Sequence, residues 1–544
     1  MAPSVFAAEK ILFERAQPSA DALSFVFAFP NTYGVGITSL GYQTIWALLA
    51  SRPDVAVSRW FTDIYEPLPR QIDLLGFSFS WELDYGQILG ALEHFQLPIA
   101  SRDRQESDPL VWGGGPVLTA NPEPFAAWFD FILLGDGEDL IPAMVAALQE
   151  VRTAPRKQKL RRLAQVPGVY VPSGYGVTYG DPEGAIAQIH PIDSDFPPVV
   201  TKQTYRGNTL SASTVVTPHA AWENIYMVEV VRSCPELCRF CLASYLTLPF
   251  RAADVTTGLI PAIARGLAVT PRLGLLGASI TQHPEFESLI DFLAQPAYDH
   301  VRLSLSSVRT NTLSRRLCNL LSQRDSRSVT IAVESGSDRL RQIINKKLTN
   351  DEIYQAAEHA QSGGLQALKL YGMVGVPQEE DADIEATIAL LLHLKKTAPK
   401  LRLSFGCSTF VPKAHTPWQW YGVRPVAEKR LKLLQKHLVP KGIDFRPESY
   451  KDSLMQALLS RGDRRLEPLL RLAYSYAKAA GQATPSDGMV KRAAKELRDT
   501  VPPLSWYIHD DWAPEPPLPW QHLQGPLPLA TLEKHRTLSL GVPL

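Results

Sequence analysis

Arg232-Ser-Cys-Pro-Glu-Leu-Cys-Arg-Phe-Cys241 spaces three cysteines as CxxxCxxC directly after an apolar, strand-like run at 225–231. Three thiolates on one loop suit three irons of a cubane [4Fe-4S] cluster and leave the fourth iron without a protein ligand. Such an iron is an exchangeable chemical site. Structural zinc normally takes four protein ligands, and no further Cys or His stands nearby to complete that set. Five cysteines in 544 residues make no disulfide framework, so the cluster of Cys234, Cys238 and Cys241 is a ligand set. Cys318 and Cys407 have no partner at ligand spacing and read as buried apolar fillers.

Outward from this loop, strand-like and helix-like segments alternate. Runs at 225–231, 273–276, 301–306, 329–333, 367–373 and 401–405, with helical stretches between them, suit a partial (β/α)6 TIM-like barrel whose chemistry sits at the carboxyl ends of its strands. Upstream, runs at 24–29, 55–61, 72–80, 110–112 and 131–134 alternate with helical patterns at 40–50 and 140–148, which predicts a doubly wound, Rossmann-like parallel sheet. The fold class is α/β, with expected units at 20–150 (α/β domain), 151–222 (linker or small β insertion, Pro-, Gly- and Ser-rich), 223–425 (barrel core) and 426–544 (C-terminal helical region). No repeat of solenoid length is evident.

The CxxxCxΦC pattern, with Phe240 as its aromatic position, resembles the cluster motif of the radical S-adenosylmethionine (SAM) superfamily. That resemblance implies that SAM chelates the open iron and that one electron from the reduced cluster cleaves it to methionine and a 5′-deoxyadenosyl radical, chemistry that belongs to the cofactor. Later strand ends are similar to further family segments. Leu276-Gly-Ala-Ser279 stands where the family often has Gly-Gly-Glu, so Gly277 and Ser279 take the place of a carboxylate beneath the SAM amino group. Ala332-Val-Glu334-Ser-Gly-Ser337 resembles the ribose and carboxylate motif, implying SAM contacts from Glu334 and Ser335; a strand-end carboxylate held in a salt bridge is the alternative for Glu334. Gly372-Met-Val-Gly375-Val-Pro377 resembles the segment packing on adenine, with Gly375 at its turn, although glycines there also serve ordinary turns. Phe410-Val-Pro-Lys-Ala-His-Thr-Pro417 resembles the FVPKPHTPFQW segment of a radical SAM subgroup that carries an N-terminal cobalamin-type domain. Lys413 and His415 in it either face substrate or are solvated.

Three strand-end loops upstream are poor in bulk: Pro30 to Gly36, Ser78-Phe-Ser80, and Gly113-Gly-Gly-Pro116 followed by Gly135-Asp-Gly-Glu138. Glycines at the carboxyl ends of parallel strands admit a large ligand to the backbone, and serines add small hydrogen-bonding groups; tight turns are the alternative. The order of these loops resembles the cobalamin-binding domain of cobalamin-dependent radical SAM enzymes, which implies contacts from Ser78, Ser80, Gly113, Gly114, Gly135 and Gly137. There is no DxHxxG after the first strand, and His94, the one histidine between 20 and 150, falls in a helical pattern. A cobalt without a protein histidine below it is compatible with methyl transfer.

The resemblance thus implies a radical SAM enzyme with a [4Fe-4S] cluster, SAM and cobalamin, methylating an unactivated carbon of a small-molecule or peptide substrate and reduced by a flavodoxin or ferredoxin. Alternatives are a radical cyclase or rearrangement enzyme, and a non-catalytic cobalamin or iron-sulfur sensor. Methylthio transfer is disfavoured because the N-terminal unit has no cysteine for a second cluster. Lys plus Arg and Asp plus Glu both number 55, so overall charge recruits neither nucleic acid nor an anionic membrane. No bilayer-spanning run or secretory leader is evident, and a soluble, cytoplasmic protein is expected. Trp506, Trp512 and Trp520 read as exposed, in a helical cap over the barrel mouth.

Overall fold

A computed structural model describes residues 5–180, 184–306 and 308–541. The N-terminal sheet is built from β1 (Leu23–Ala28), β2 (Val55–Trp60), β3 (Leu74–Ser78), β4 (Leu110–Gly114), β5 (Phe131–Leu133) and β6 (Val169–Tyr170), in the order β2-β1-β3-β4-β5-β6. The first five strands are parallel and β6 is antiparallel. β1 and β3 are apolar and almost wholly buried, as strands covered on both faces must be. Helix α1 (Leu40–Ala50), capped by the Ser39 hydroxyl on the Tyr42 amide, and helix α3 (Gly137–Glu150) flank the sheet; α2 (Tyr85–His94) follows β3. Because β2 lies on one side of β1 and β3 on the other, their connections leave in opposite directions and open a crevice at the carboxyl ends.

The second parallel series comprises β7 (Ile225–Glu229), β8 (Arg272–Leu276), β9 (Arg302–Leu305), β10 (Ser328–Glu334), β11 (Ala367–Val374), β12 (Arg402–Thr409) and β13 (Asp444–Pro447). β7-β8-β9 and β10-β11-β12-β13 form two arcs linked by a parallel bridge between Val308 and Ile331. The row is a partial barrel, as expected, but it continues one strand past the six read from the sequence. β13 escaped notice because it is four residues long and buries only Phe445. Among the described residues β13 does not pair with β7, so the barrel stays open.

The segment between the two units adds β6 to the first sheet and then forms a hairpin of Tyr175–Tyr179 with Ile186–Pro191. C-terminal helices Tyr450–Arg461, Glu467–Ala479 and Asp487–Glu496 share one hydrophobic core with the N-terminal unit. The Asn121 amide donates to the carbonyls of Ser460 and Gly462 at 3.1 and 2.9 Å across this joint. The first helix of this region, α4 (Val426–Leu438), packs on the barrel core and leads into β13, whereas most of the helices after it cover the first domain rather than the barrel mouth; the last helix, α5 (Leu529–Ser539), returns to the barrel, where Ser539 accepts from Gln378 and Trp418. The three tryptophans are not free surface: Trp520 is buried, and Trp506, Trp512 and Trp520 form a row with ring separations of 4.6 and 6.4 Å, the Arg461 guanidinium 3.8 Å from the Trp512 ring. Their apolar faces pack on one another and on a cation instead of water. Among the described residues no helix is long and apolar enough to cross a membrane.

Candidate active site

The cysteine loop leaves β7 by way of Val231–Arg232, which pairs with Arg251–Ala252, and ends in the helical turn Leu242–Tyr245. Ser233 and Leu237 adopt left-handed backbone (φ 74° and 54°), an unfavourable conformation for side-chain-bearing residues that persists only where surroundings enforce it. The enforcement comes from a second helix, Asp338–Ile344. Its C-cap Asn345 donates to the carbonyls of Glu236 and Leu237 at 3.2 and 2.8 Å, and its Ile344 carbonyl accepts from the Arg239 amide at 2.9 Å. Arg239 also donates to the Gln342 carbonyl at 3.0 Å and, on α5, to that of His535 at 2.8 Å. The loop is thus clamped from both sides.

All three cysteines are free, with Cys238 buried against Leu340, Ile344, Met373, Phe410 and Trp418 and the Phe240 ring packed on the same cluster. Burial pushes the Cys238 thiol up to about 12; the Lys346 ammonium pulls it down, while Cys241, Glu334 and Cys234 push it further up. Three thiols in mutual electrostatic range, with no disulfide among them, suit a cubane whose irons deprotonate their ligands outright. Among the described residues no three His, Cys, Asp or Glu converge as one metal ion requires. A cubane makes no such demand, since each thiolate takes its own iron.

The expected SAM contacts gather around this loop in unequal ways. Glu334, at a bulge in β10 and in left-handed backbone (φ 64°), accepts from Lys346 Nζ at 3.0 Å and borders the barrel cavity. It is therefore both in a salt bridge and at the lumen. Burial alone would lower Lys346, but Glu334 and Cys238 outweigh it and hold the ammonium above its ordinary value. Ser279 is buried and donates to Gln282 Oε1 at 2.7 Å, the same oxygen that lies 3.9 Å from Cys234 Sγ. The Ser335 hydroxyl accepts from the Ser337 amide at 3.1 Å. The Gly277 amide donates to Ser306 Oγ at 3.2 Å, and that of Gly375 to Glu379 at 2.6 Å. Lys346 and Gln282 were missed in the sequence because nothing in local pattern singles out a lysine after a helix or a glutamine after a strand; their roles arise from long-range contact. Lys413 and His415 are neither solvated nor at the lumen: Lys413 pairs with Glu82, and His415 is buried, which lowers it to about 4.

On the other side of the cysteine loop lies the crevice at the carboxyl ends of the N-terminal sheet, a cavity of about 460 Å³. Ser78, Ser80, Gly114, Gly135 and Gly137 line it together with apolar Phe27, Leu40, Phe77 and Trp112, and its far wall is Ser233, Gly277 and Ala278 from the barrel. Gly113 is not in the lining: a Cβ there would meet Leu118 and Phe129 at 2.4 and 2.8 Å. A Cβ on Gly135, at φ 109°, would lie 2.1 Å from the Gln203 carbonyl, and one on Gly137 would lie 2.2 Å from Ile45. These three glycines are required by packing within the chain, whereas a Cβ on Gly114 would make only ordinary contact, with Leu133 at 3.7 Å. Among the described residues no histidine lines the crevice, and His94 is exposed at the end of α2 against Trp60 and Tyr65.

The acidic residues of Gly135 to Glu138 bind the two units together. Arg232, two residues before Cys234, donates to Glu138 at 2.8 Å and to Glu229 at 2.8 and 2.7 Å, and lies 3.2 Å from Asp136, which Arg251 also holds. Burial would raise Asp136, but these two guanidiniums hold it below the usual carboxylate range.

Residues 228–391 match the family model of the radical SAM superfamily, and residues 63–172 match a model described as radical SAM proteins, N-terminal. An uncharacterised protein of Methanocaldococcus jannaschii is 27% identical over 452 residues, covering 81% of this chain and 89% of that protein. Among solved structures, the chain is similar to the radical S-adenosylmethionine methyltransferase TsrM from Kitasatospora setae with cobalamin and cluster bound (11% identity, 73% of this chain and 77% of that one, TM-score 0.49). It is also similar to the cobalamin-dependent radical enzyme OxsB (12% identity, 88% and 71%, TM-score 0.49).

Proposed function

This chain belongs to the radical SAM superfamily, and from that premise we propose that it is a cobalamin-dependent enzyme methylating an unactivated carbon. As a radical SAM enzyme it uses a [4Fe-4S] cluster and SAM, held at Cys234, Cys238 and Cys241 and at the lumen beside Glu334. When bound, the two together supply a 5′-deoxyadenosyl radical for hydrogen abstraction from carbon that no side chain activates. Such an enzyme needs a substrate and an external one-electron reductant, for which a flavodoxin or ferredoxin is the proposed source. The protein's own work is positional. Asn345 and Arg239 fix the loop, Lys346 sets a positive charge beside the thiolates, and the apolar bed under Cys238 excludes water.

The observation that carries the cobalamin assignment is the crevice. Its apolar floor suits the face of a flat macrocycle, its serine hydroxyls suit amide side arms, and its far wall is the start of the cysteine loop. Cobalamin, when bound there, would supply a methyl group, and among the described residues the lining offers it no histidine. A second reading, radical cyclisation or rearrangement with the crevice holding substrate, is favoured by Gly113, Gly135 and Gly137, whose lack of side chains is explained by internal packing.

Cobalamin content after anaerobic purification with the vitamin supplied separates the readings. Stoichiometric, base-off cobalamin that is lost in Gly114→Leu, with cluster absorbance retained, is the expected result. Protein that keeps its cluster and SAM cleavage but retains no cobalamin would move the second reading to first place.

A further inference from the structure

Strands of the open barrel send alternate side chains outward to helices and inward to the lumen. Leu368, Leu370, Leu403 and Phe405 point outward and are fully buried. Inward positions in a closed barrel are filled by branched apolar residues. Here they are Lys369, Tyr371, Ser404, Gly406, Ser408 and Arg446, and they border a cavity of about 360 Å³ that also touches Glu334 and Glu448.

Charges in this cavity are not all satisfied. Glu334 is paired with Lys346, and Arg446 with Asp444 at 2.7 Å. The exposed Lys369 ammonium has no hydrogen-bonding or ionic partner among the described residues, and neither does the Glu448 carboxylate. Strand register places them at opposite ends. Lys369 is level with Ser404 and Asp444, Tyr371 with Gly406 and Arg446, and Glu334 with Gly372 and Cys407. Glu448 follows β13 at the end nearer the cysteine loop. Tyr371 is 56% exposed, and its ring lies over Gly406, where a Cβ would come within 2.9 Å of ring atoms. Glycine at 406 lets the ring lie flat beside open space.

We propose that the lumen takes a substrate bearing a carboxylate or phosphate, with Lys369 binding the anion and the Tyr371 face supporting the carbon skeleton. This rests on the radical SAM reading and not on cobalamin. Glu448 repels an anion at the cluster end and Lys369 attracts it at the other, so the substrate is oriented with its anionic group away from the cluster. From Gly372, level with Glu334, to Lys369 is three residues, about 10 Å at strand rise. The substrate's anion is therefore separated from its reacting carbon by a distance of that order, which selects extended molecules.

Phenylacetate and phenyl phosphate carry a flat ring with each kind of anion, and benzyl alcohol is the neutral counterpart. On the reconstituted full-length protein, both anions are expected to slow chemical acetylation of Lys369, read by mass spectrometry, while leaving exposed Lys400 unaffected and with benzyl alcohol inert. Whichever anion protects better names the source. By equilibrium dialysis, Lys369→Met should weaken the better anion about tenfold, equivalent to about 1.4 kcal/mol, and Lys369→Arg should restore it. Equal labelling of Lys369 with and without both anions overturns the proposal. SAM cleavage by the dithionite-reduced wild-type protein is measured on the same sample: its absence sinks the radical SAM reading itself, whereas cleavage without anion protection sinks only the assignment of the lumen.

Discussion

Replacing Arg232 with Met removes the charge that joins the two halves of the molecule while keeping an unbranched stem. The guanidinium donates to Glu229, Glu138 and Ser211, and sits 3.2 Å from Asp136, with side-chain exposures between 11% and 16% at the four charged residues. Without it Glu138 and Glu229 lose the only cation that pairs with them among the described residues, and Asp136 keeps Arg251. Removing one partner of a buried ion pair costs about 3–5 kcal/mol, because the other charge stays buried and uncompensated. For a cooperative unit of about 200 residues, that is a fall of about 5–15 °C in melting temperature. The pH dependence carries the sign. Burial would raise Asp136, but Arg232 and Arg251 hold it below its unfolded value, so the share of the deficit that runs through Asp136 is full at neutral pH and shrinks as pH falls through that lowered folded value. Calorimetry at about pH 7.5 and about pH 3.5 reads both effects. A shift below about 2 °C, or a deficit that does not change with pH, would refute the view that these carboxylates are buried and depend on Arg232.

Changing Cys234, Cys238 and Cys241 together to Ala should abolish cluster absorbance and SAM cleavage at once, and survival of both would remove the cluster assignment. Gly135→Ala should destabilise the fold by about 1–3 kcal/mol, since its Cβ strikes the Gln203 carbonyl in left-handed backbone; an unchanged urea midpoint with lost cobalamin would mean that the glycine serves the ligand instead. His522, lowered to about 4 by burial despite the nearby Glu123, stays neutral in the folded protein. The unfolded chain then binds the extra proton between about pH 6.5 and about pH 4, so stability falls as pH drops through that window by about 1.4 kcal/mol per unit. His522→Phe should remove that share of the acid slope and leave the share of His415, which burial lowers to about 4 as well, and an unaltered slope would show that His522 is not a source.

What could be read from residues alone follows the range of the physics. The three cysteines of the loop are near neighbours in sequence, so their spacing could be read directly. Buried parallel strands such as β1 and β3 are uninterrupted apolar runs, so both sheets were visible too. β13 was not, because an edge strand exposed on one face has no such run. The glycines at 113, 135 and 137 were visible as glycines, but the reason for them lies in Leu118, Gln203 and Ile45, which only the fold brings there. The same holds for Asn121 meeting Ser460, more than three hundred residues away. Trp506, Trp512 and Trp520 read as exposed because a Pro-rich segment has no periodicity to declare a buried face, and they bury one another.

The cysteine loop stands between two cavities of different character, and this division constrains any reaction the enzyme performs. On one side, Ser233, Gly277 and Ala278 close an apolar crevice floored by Phe27, Phe77 and Trp112. On the other, Glu334 opens onto a polar lumen with Tyr371 and Lys369 below it. The turn after β8 belongs to the wall between them: Gly277 and Ala278 line the crevice, and Gly277 is packed so closely on Val231 that a Cβ would come within 2.6 Å of it. A group held in the crevice faces the cysteine loop from this side, whereas a substrate held by its anion in the lumen approaches from the opposite direction. If both cavities are filled in turnover, the reacting carbon must lie near the level of Glu334, at the top of the lumen and beside the turn. An extended, one-ended anion satisfies that requirement, and a compact or doubly anionic molecule does not.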